Sequence, residues 1–363
     1  MKHRPCAWTG AIVALAAAAS MAGCGSPAAT PGATVPPSAS PSARTPDSTP
    51  SASGSMPLPT GPASARVAVV VGQPDATRII VMSAAAGDPG DVIGSGAGPA
   101  WSPDGRRIAF ICRYDPDQMP GLCIVDLDNR DAAPALVVPD VVSVTWSPAG
   151  DWLAIGRSAI DFGDTWLVRP DGTGLREVGL RDHETRVDLW SPDGARIAGA
   201  ASLGGVSAPV VAVCEVESGA CGVMGGGGAE AWAPGGTRLA VIGGSVASVD
   251  AFVLDLGTGE RFPLLDLVPS ITAVAWARTG KLAAVGEDGR LVILDGPGAM
   301  PKRIADDLRV TGRPAWSPDG EWLAVRAASE QGSDIFVMRP DGSDRRQLAT
   351  GGAGQGAVWA PAP

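Results

Sequence analysis

The sequence predicts an all-β chain, a β-propeller of seven four-stranded blades closed by its C-terminal strand, with six blades as the alternative. Three observations predict it. A Trp-turn motif recurs seven times along the chain. Its spacings of 45, 44, 42, 44, 40 and 43 residues match a four-stranded blade. Strand-like segments alternate with turn residues throughout, and no long helical periodicity follows the N-terminal leader.

The motif reads WSPDGRRIAF from Trp101, WSPAGDWLAI from Trp146, WSPDGARIAG from Trp190 and WAPGGTRLAV from Trp232. It continues as WARTGKLAAV from Trp276, WSPDGEWLAV from Trp316 and a short VWAP copy around Trp359. Ser-Pro-Asp-Gly is turn chemistry: Pro presets φ, Asp suits the third position and Gly accepts positive φ. The Trp therefore ends one strand, and the apolar residues after the Gly begin the next. A third strand follows in each unit: CIVDL (123–127), TWLV (165–168), VAVCEV (211–216), AFVLDL (251–256), LVILD (291–295) and DIFVM (334–338). A second polar turn and a short fourth strand complete the unit. The tryptophans are read as blade-packing residues rather than as functional ones.

The chain ends supply the remaining blade. Residues 66–98 hold three strand candidates, RVAVVV, RIIVMS and DVIGS, with no Trp-turn strand before them. The lone GAVWAP at 356–361 is the expected fourth partner. Closing the ring this way removes open sheet edges.

The W-S-P-D-G-x-x-I-A-F repeat is similar to the repeat of TolB-type propellers, and the likeness spans nearly all of residues 66–363. It implies the fold and says little about function. TolB proteins have six blades behind a small α/β domain. Here a Pro/Ser/Thr-rich stretch stands in that place, so a role in a Tol–Pal complex is not expected.

Residues 1–24 form a basic start (Lys2, His3, Arg4), an apolar run from Ala11 to Ala19, and small residues leading to Cys24. That is the layout of an export signal, and its apolar run is short for a spanning helix. Met21-Ala22-Gly23-Cys24 resembles the bacterial lipoprotein lipobox, with Met21 where Leu is usual. The resemblance implies a lipidated Cys24. Residues 25–65 are almost wholly Ser, Pro, Thr, Ala and Gly, with Arg44 and Asp47 the only charges. Too little apolar surface is present to offset ordering, so this segment reads as a disordered tether. The propeller is expected over 66–363, facing outward from the cell membrane. A net charge of −10 argues against a nucleic-acid partner.

Four cysteines remain beyond the leader and Cys24. Cys112 and Cys123 end and begin neighbouring strands, and Cys214 and Cys221 flank a hairpin turn. In an exported chain these read as two disulfides, Cys112–Cys123 and Cys214–Cys221.

Catalytic signals are weak. His183 is the only histidine after the leader, in the loop RDHETR; a Ser-His-Asp triad would need it. No GxSxG motif occurs, and GGGG at 225–228 lacks the context of a phosphate loop. Asn129 is the only asparagine, which counts against the Asn-containing metal sites of lactonase-like propellers. Asp115 and Asp117 could contribute to a calcium site but read more simply as turn residues. No catalytic residue, metal or cofactor is assigned.

The turns of the repeat are short and uniform and share one face of the ring. The other connections vary in length and composition, and variable loops on a rigid scaffold are where binding residues tend to sit. The candidate binding face comprises Tyr114, Asp115, Asp117, Asp161, Phe162 and His183. Asp188, Glu230 and Arg313 are placed toward the central channel. The expectation is a lipid-anchored, monomeric module that binds a protein or glycan of the cell envelope. The alternative is a metal-dependent propeller hydrolase or lyase acting in the channel.

Overall fold

The computed structural model describes residues 65–362, apart from 73–76, 86, 113–118, 130–133, 158–163, 182, 205–207, 246–247, 265–269, 331 and 351–355. The leader, the tether up to residue 64, Cys24, Tyr114, Asp115, Asp117, Asp161 and Phe162 lie outside the described residues. Every regular element described is a β-strand, 27 in all. No helix among the described residues is long and apolar enough to cross a membrane.

The chain opens with β1 (Arg66–Val71), β2 (Arg78–Ser83), β3 (Asp91–Trp101), β4 (Arg107–Cys112), β5 (Gly121–Asp126) and β6 (Ala135–Pro139). A four-stranded sheet follows: β7 (Val141–Trp146), β8 (Leu153–Arg157), β9 (Thr165–Val168) and β10 (Arg176–Val178). The next comprises β11 (Glu184–Trp190), β12 (Arg196–Ser202), β13 (Val210–Glu215) and β14 (Cys221–Gly226). Then come β15 (Gly228–Trp232), β16 (Arg238–Ser245), β17 (Ser248–Asp255) and β18 (Arg261–Pro263). The fourth is β19 (Ile271–Trp276), β20 (Leu282–Gly286), β21 (Leu291–Leu294) and β22 (Lys302–Ile304). The fifth is β23 (Val310–Trp316), β24 (Leu323–Ser329), β25 (Gly332–Met338) and β26 (Arg346–Ala349). The last strand, β27 (Ala357–Trp359), pairs antiparallel with β1, setting Trp359 opposite Val67.

The expectation of seven four-stranded blades closed by the C-terminal strand is corrected. The propeller has five four-stranded sheets and one curled seven-stranded sheet, ordered β27-β1-β2-β3-β4-β5-β6. The reason lies in β3. The sequence predicts one strand at DVIGS and a separate one ending at Trp101, but the chain runs through 11 residues without a break. Its first half pairs with β2 and its second half with β4. Glycines permit the swing. Gly96 has φ 156°, and a Cβ there would stand 2.1 Å from the Ile111 carbonyl oxygen. Gly98 has φ 59°, and the register shifts between Ala97 and Ala100.

The Trp-turn motif stitches neighbouring sheets together. The Trp146 Nε1–H donates to the Ala100 carbonyl at 3.0 Å, Trp232 to Leu189 at 2.8 Å and Trp316 to Ala275 at 3.2 Å. Trp359 donates to Ala315 at 2.9 Å, and Trp101 donates to Val358 at 3.1 Å within the curled sheet, to which both β3 and β27 belong. Apart from Trp101, each donates to a strand of the adjacent sheet. Two copies depart from the pattern: Trp276 turns back to Gly280 in its own hairpin, and the buried Nε1 of Trp190 has no partner among the described residues. Arginines cap several indoles, with Arg66 over Trp101, Arg107 over Trp146 and Arg196 over Trp232 at 4.9–5.1 Å from the ring centre.

The turn serine is buried and organises its loop. Ser102 Oγ donates to Asp104 Oδ1 at 2.5 Å and accepts the Arg107 N–H at 2.9 Å, closing the hairpin between β3 and β4. Ser191 and Asp193 repeat this arrangement. In both, the serine hydroxyl is the main cause holding the aspartate below the ordinary carboxylate range. Apolar residues between sheets form the core; Leu167 and Val178 of one sheet pack with Ile197 and Ala212 of the next.

Candidate functional site

The inner strands share a defect that positions side chains. The register of β7 shifts between Val141 and Ser143, that of β11 between Val187 and Leu189, and that of β15 between Ala229 and Ala231. β19 shifts between Ile271 and Ala273, and β23 between Thr311 and Ala315. A bulge re-aims the extra side chain and breaks the strict alternation of a strand. The residues at these bulges include Asp188, Glu230 and Arg313, the three that the sequence placed toward the channel.

The structure brings two of them together. Arg313 Nη2 donates to Glu230 Oε2 at 2.6 Å, although β19 lies between their strands in the ring. Asp188 lies 3.4 Å from Arg186 Nε of its own strand. Each carboxylate therefore already faces a guanidinium. Among the described residues, no three of His, Cys, Asp or Glu gather so as to hold a metal ion.

His183 lies elsewhere, in a cleft of about 800 Å³. This groove forms between the β7–β10 sheet and the β11–β14 sheet. Its upper wall is the connection from β10 to β11, with Leu180, Arg181, His183 and Glu184. Its middle is β10 itself, with Arg176 and Glu177, and Asp164 ahead of β9. Its lower end is the β13–β14 turn at Ser218 and Gly219. That turn and the β10–β11 connection are at opposite ends of their strands, so the groove runs down the flank of the ring. Arg176 is held in place: its Nη2 donates to the Val216 carbonyl, and its guanidinium sits 5.3 Å from the Trp152 ring centre. Thr185 Oγ1 accepts the Leu180 N–H at 3.0 Å and fixes the upper wall.

The sequence reading named His183 but missed its neighbours. The signal was charge density: six of the eleven residues 176–186 are Asp, Glu or Arg, against 18% charged residues overall. The four cysteines form the two expected disulfides. Cys112–Cys123 ties β4 to β5, and Cys214–Cys221 ties β13 to β14.

No family model matches the chain. Solved structures similar to it share the fold at low identity. TolB from Acinetobacter baumannii is 16% identical with a TM-score of 0.53, over 83% of this chain and 68% of that one. The β-propeller domain of the Trilobed protease from Pyrococcus furiosus is 18% identical with a TM-score of 0.54, over 78% and 93%. A puromycin hydrolase mutant is 16% identical with a TM-score of 0.63, over 82% of this chain but only 54% of that one. The chain spans about half the length of such a hydrolase. These likenesses establish a TolB-like β-propeller, a fold that propeller-containing peptidases share.

Proposed function

We propose that this chain is a membrane-anchored, extracytoplasmic propeller that binds a protein or glycan of the cell envelope along its flank groove. The groove carries the reading. It is long rather than enclosed, and it presents both charge signs with hydrogen-bonding groups from two sheets. An extended peptide or oligosaccharide fits such a trough better than a compact metabolite, which is usually held in a mostly apolar pocket. Two disulfides suit an oxidising compartment, and Cys24 is the residue proposed to carry the lipid. The metal-dependent hydrolase reading has no comparable support, since Asp188 and Glu230 each face an arginine.

The test has two arms. Full-length protein should partition into the detergent phase of cell extracts, and Cys24→Ala should move it to the aqueous phase. Immobilised protein should retain a defined envelope component that Arg181→Ala/His183→Ala loses. Equal partitioning of Cys24→Ala, or equal retention by the double variant, would count against the respective half of the proposal.

A further inference from the structure

The outer strand of each four-stranded sheet exposes a row of unpaired backbone groups, and proteins usually blunt such edges with charge, proline or shortness. Here all but one are blunted. β10 carries Arg176 and Glu177, β18 Arg261 and Pro263, β22 Lys302 and Arg303, and β26 Arg346. These strands are only three or four residues long. In the larger sheet, β6 ends on Pro139. β14 differs: its six residues read CGVMGG, with no charge and no proline. Val223 and Met224 on it are 44% and 39% exposed.

β14 is also held ready for pairing. The Cys214–Cys221 disulfide fastens its start to β13. The Glu215 N–H donates to the Ala220 carbonyl, and Cys214 and Val213 pair with Cys221 and Gly222. Alternation along an antiparallel ladder then turns the N–H and C=O of Cys221 and Val223 away from β13, toward the open edge.

We propose that β14 pairs with β14 of a second copy of this chain, antiparallel across a twofold axis near Val223. Charge selects this occupant. One end of the edge carries the exposed Glu217 of the β13–β14 turn. The other carries Arg261, whose Nη2 would stand 2.8 Å from a Cβ placed on Gly225. A twofold, antiparallel pair sets each copy's Arg261 toward the other copy's Glu217, and the isologous contact closes at two chains. Self-pairing about the centre of β22 would instead set Arg303 against Arg303, and that of β10 Glu177 against Glu177. The pair replaces the monomer expected from the sequence and does not depend on the flank groove.

Sedimentation velocity on the full chain in detergent tests this. The wild type should dimerise. Val223→Lys, which plants a charge on the edge, should raise the dimer Kd at least about tenfold. Glu217→Arg and Arg261→Glu should each raise it about fivefold through two symmetric ion pairs. The double exchange Glu217→Arg/Arg261→Glu should return it to near the wild-type value. Glu217 lies on an exposed turn, so its variant keeps the test valid should Val223→Lys fail to fold. A chain monomeric at tens of micromolar would overturn the proposal. So would a dimer indifferent to Val223→Lys and Glu217→Arg, or a double exchange that restores nothing.

Discussion

Replacing Trp232 and Trp190 separately by Phe should separate the two roles that one motif position plays. Trp232 is 8% exposed, and its indole N–H reaches the Leu189 carbonyl at 2.8 Å. Arg196 stacks on it at 5.1 Å and donates to Gly236 O at 2.6 Å, so one side chain braces both ring and turn. Phe at 232 removes the hydrogen bond, leaves the Leu189 carbonyl short of a donor and shrinks a packed ring. The lost bond with its stranded acceptor costs about 1–2 kcal/mol, and the lost ring volume adds about 1 kcal/mol. Trp190 is half-buried, and its Nε1 finds no partner among the described residues. Phe there forfeits no hydrogen bond and relieves a buried N–H, so packing loss and relief offset to within about 1 kcal/mol. In thermal melts each kcal/mol is worth about 2 °C for a domain of this size. Trp232→Phe should therefore fall by about 4–6 °C, and Trp190→Phe by no more than about 2 °C. Equal losses, or a larger loss at 190, would refute the view that the motif indoles stabilise the ring by bridging sheets.

Three further outcomes follow from the same geometry. Non-reducing mass spectrometry should find no free thiol at Cys112, Cys123, Cys214 or Cys221, and Cys214→Ala/Cys221→Ala should lower stability by about 2 kcal/mol. Asp104 and Asp193 are held below their unfolded pKa, chiefly by the hydroxyls of Ser102 and Ser191. Their contribution is complete above the unfolded value, about pH 4, and fades as pH falls through the folded value. Melts between pH 6 and pH 2 should thus decline less steeply for Asp104→Asn/Asp193→Asn than for wild type. At Gly199 a Cβ would stand 1.9 Å from the Arg186 carbonyl oxygen, whereas at Gly259 it would meet nothing within 4 Å. Gly199→Ala should destabilise by more than about 3 kcal/mol, and Gly259→Ala by about 1 kcal/mol through its positive φ.

The sheets were legible because their chemistry is local. Trp, Pro, Asp and Gly stand at fixed offsets in each hairpin, and Ser102 or Ser191 closes the turn from within the motif itself. The continuity of β3 was not legible. Its glycines resemble a loop until the close approach of Gly96 to the Ile111 carbonyl is known. Asp188, Glu230 and Arg313 stood out as charges in apolar strands, but their bulges could not be read from alternation alone. That Arg313 reaches Glu230 across β19 depends on ring curvature, a property of several sheets together. The groove was half visible: His183 and the charged run around it mark one wall. Its other wall, at Ser218 and Gly219, is supplied by the next sheet.

The claim that the flank groove receives an envelope partner is tested most directly in intact cells. A photo-reactive amino acid would replace His183, and in a second strain Met300, which is 89% exposed and lies outside the groove. On illumination, the variant at 183 should form a discrete adduct with a protein or glycan-bearing species of the envelope fraction, and the variant at 300 should not. The same adduct at both positions, or one at 300 and none at 183, would contradict the account.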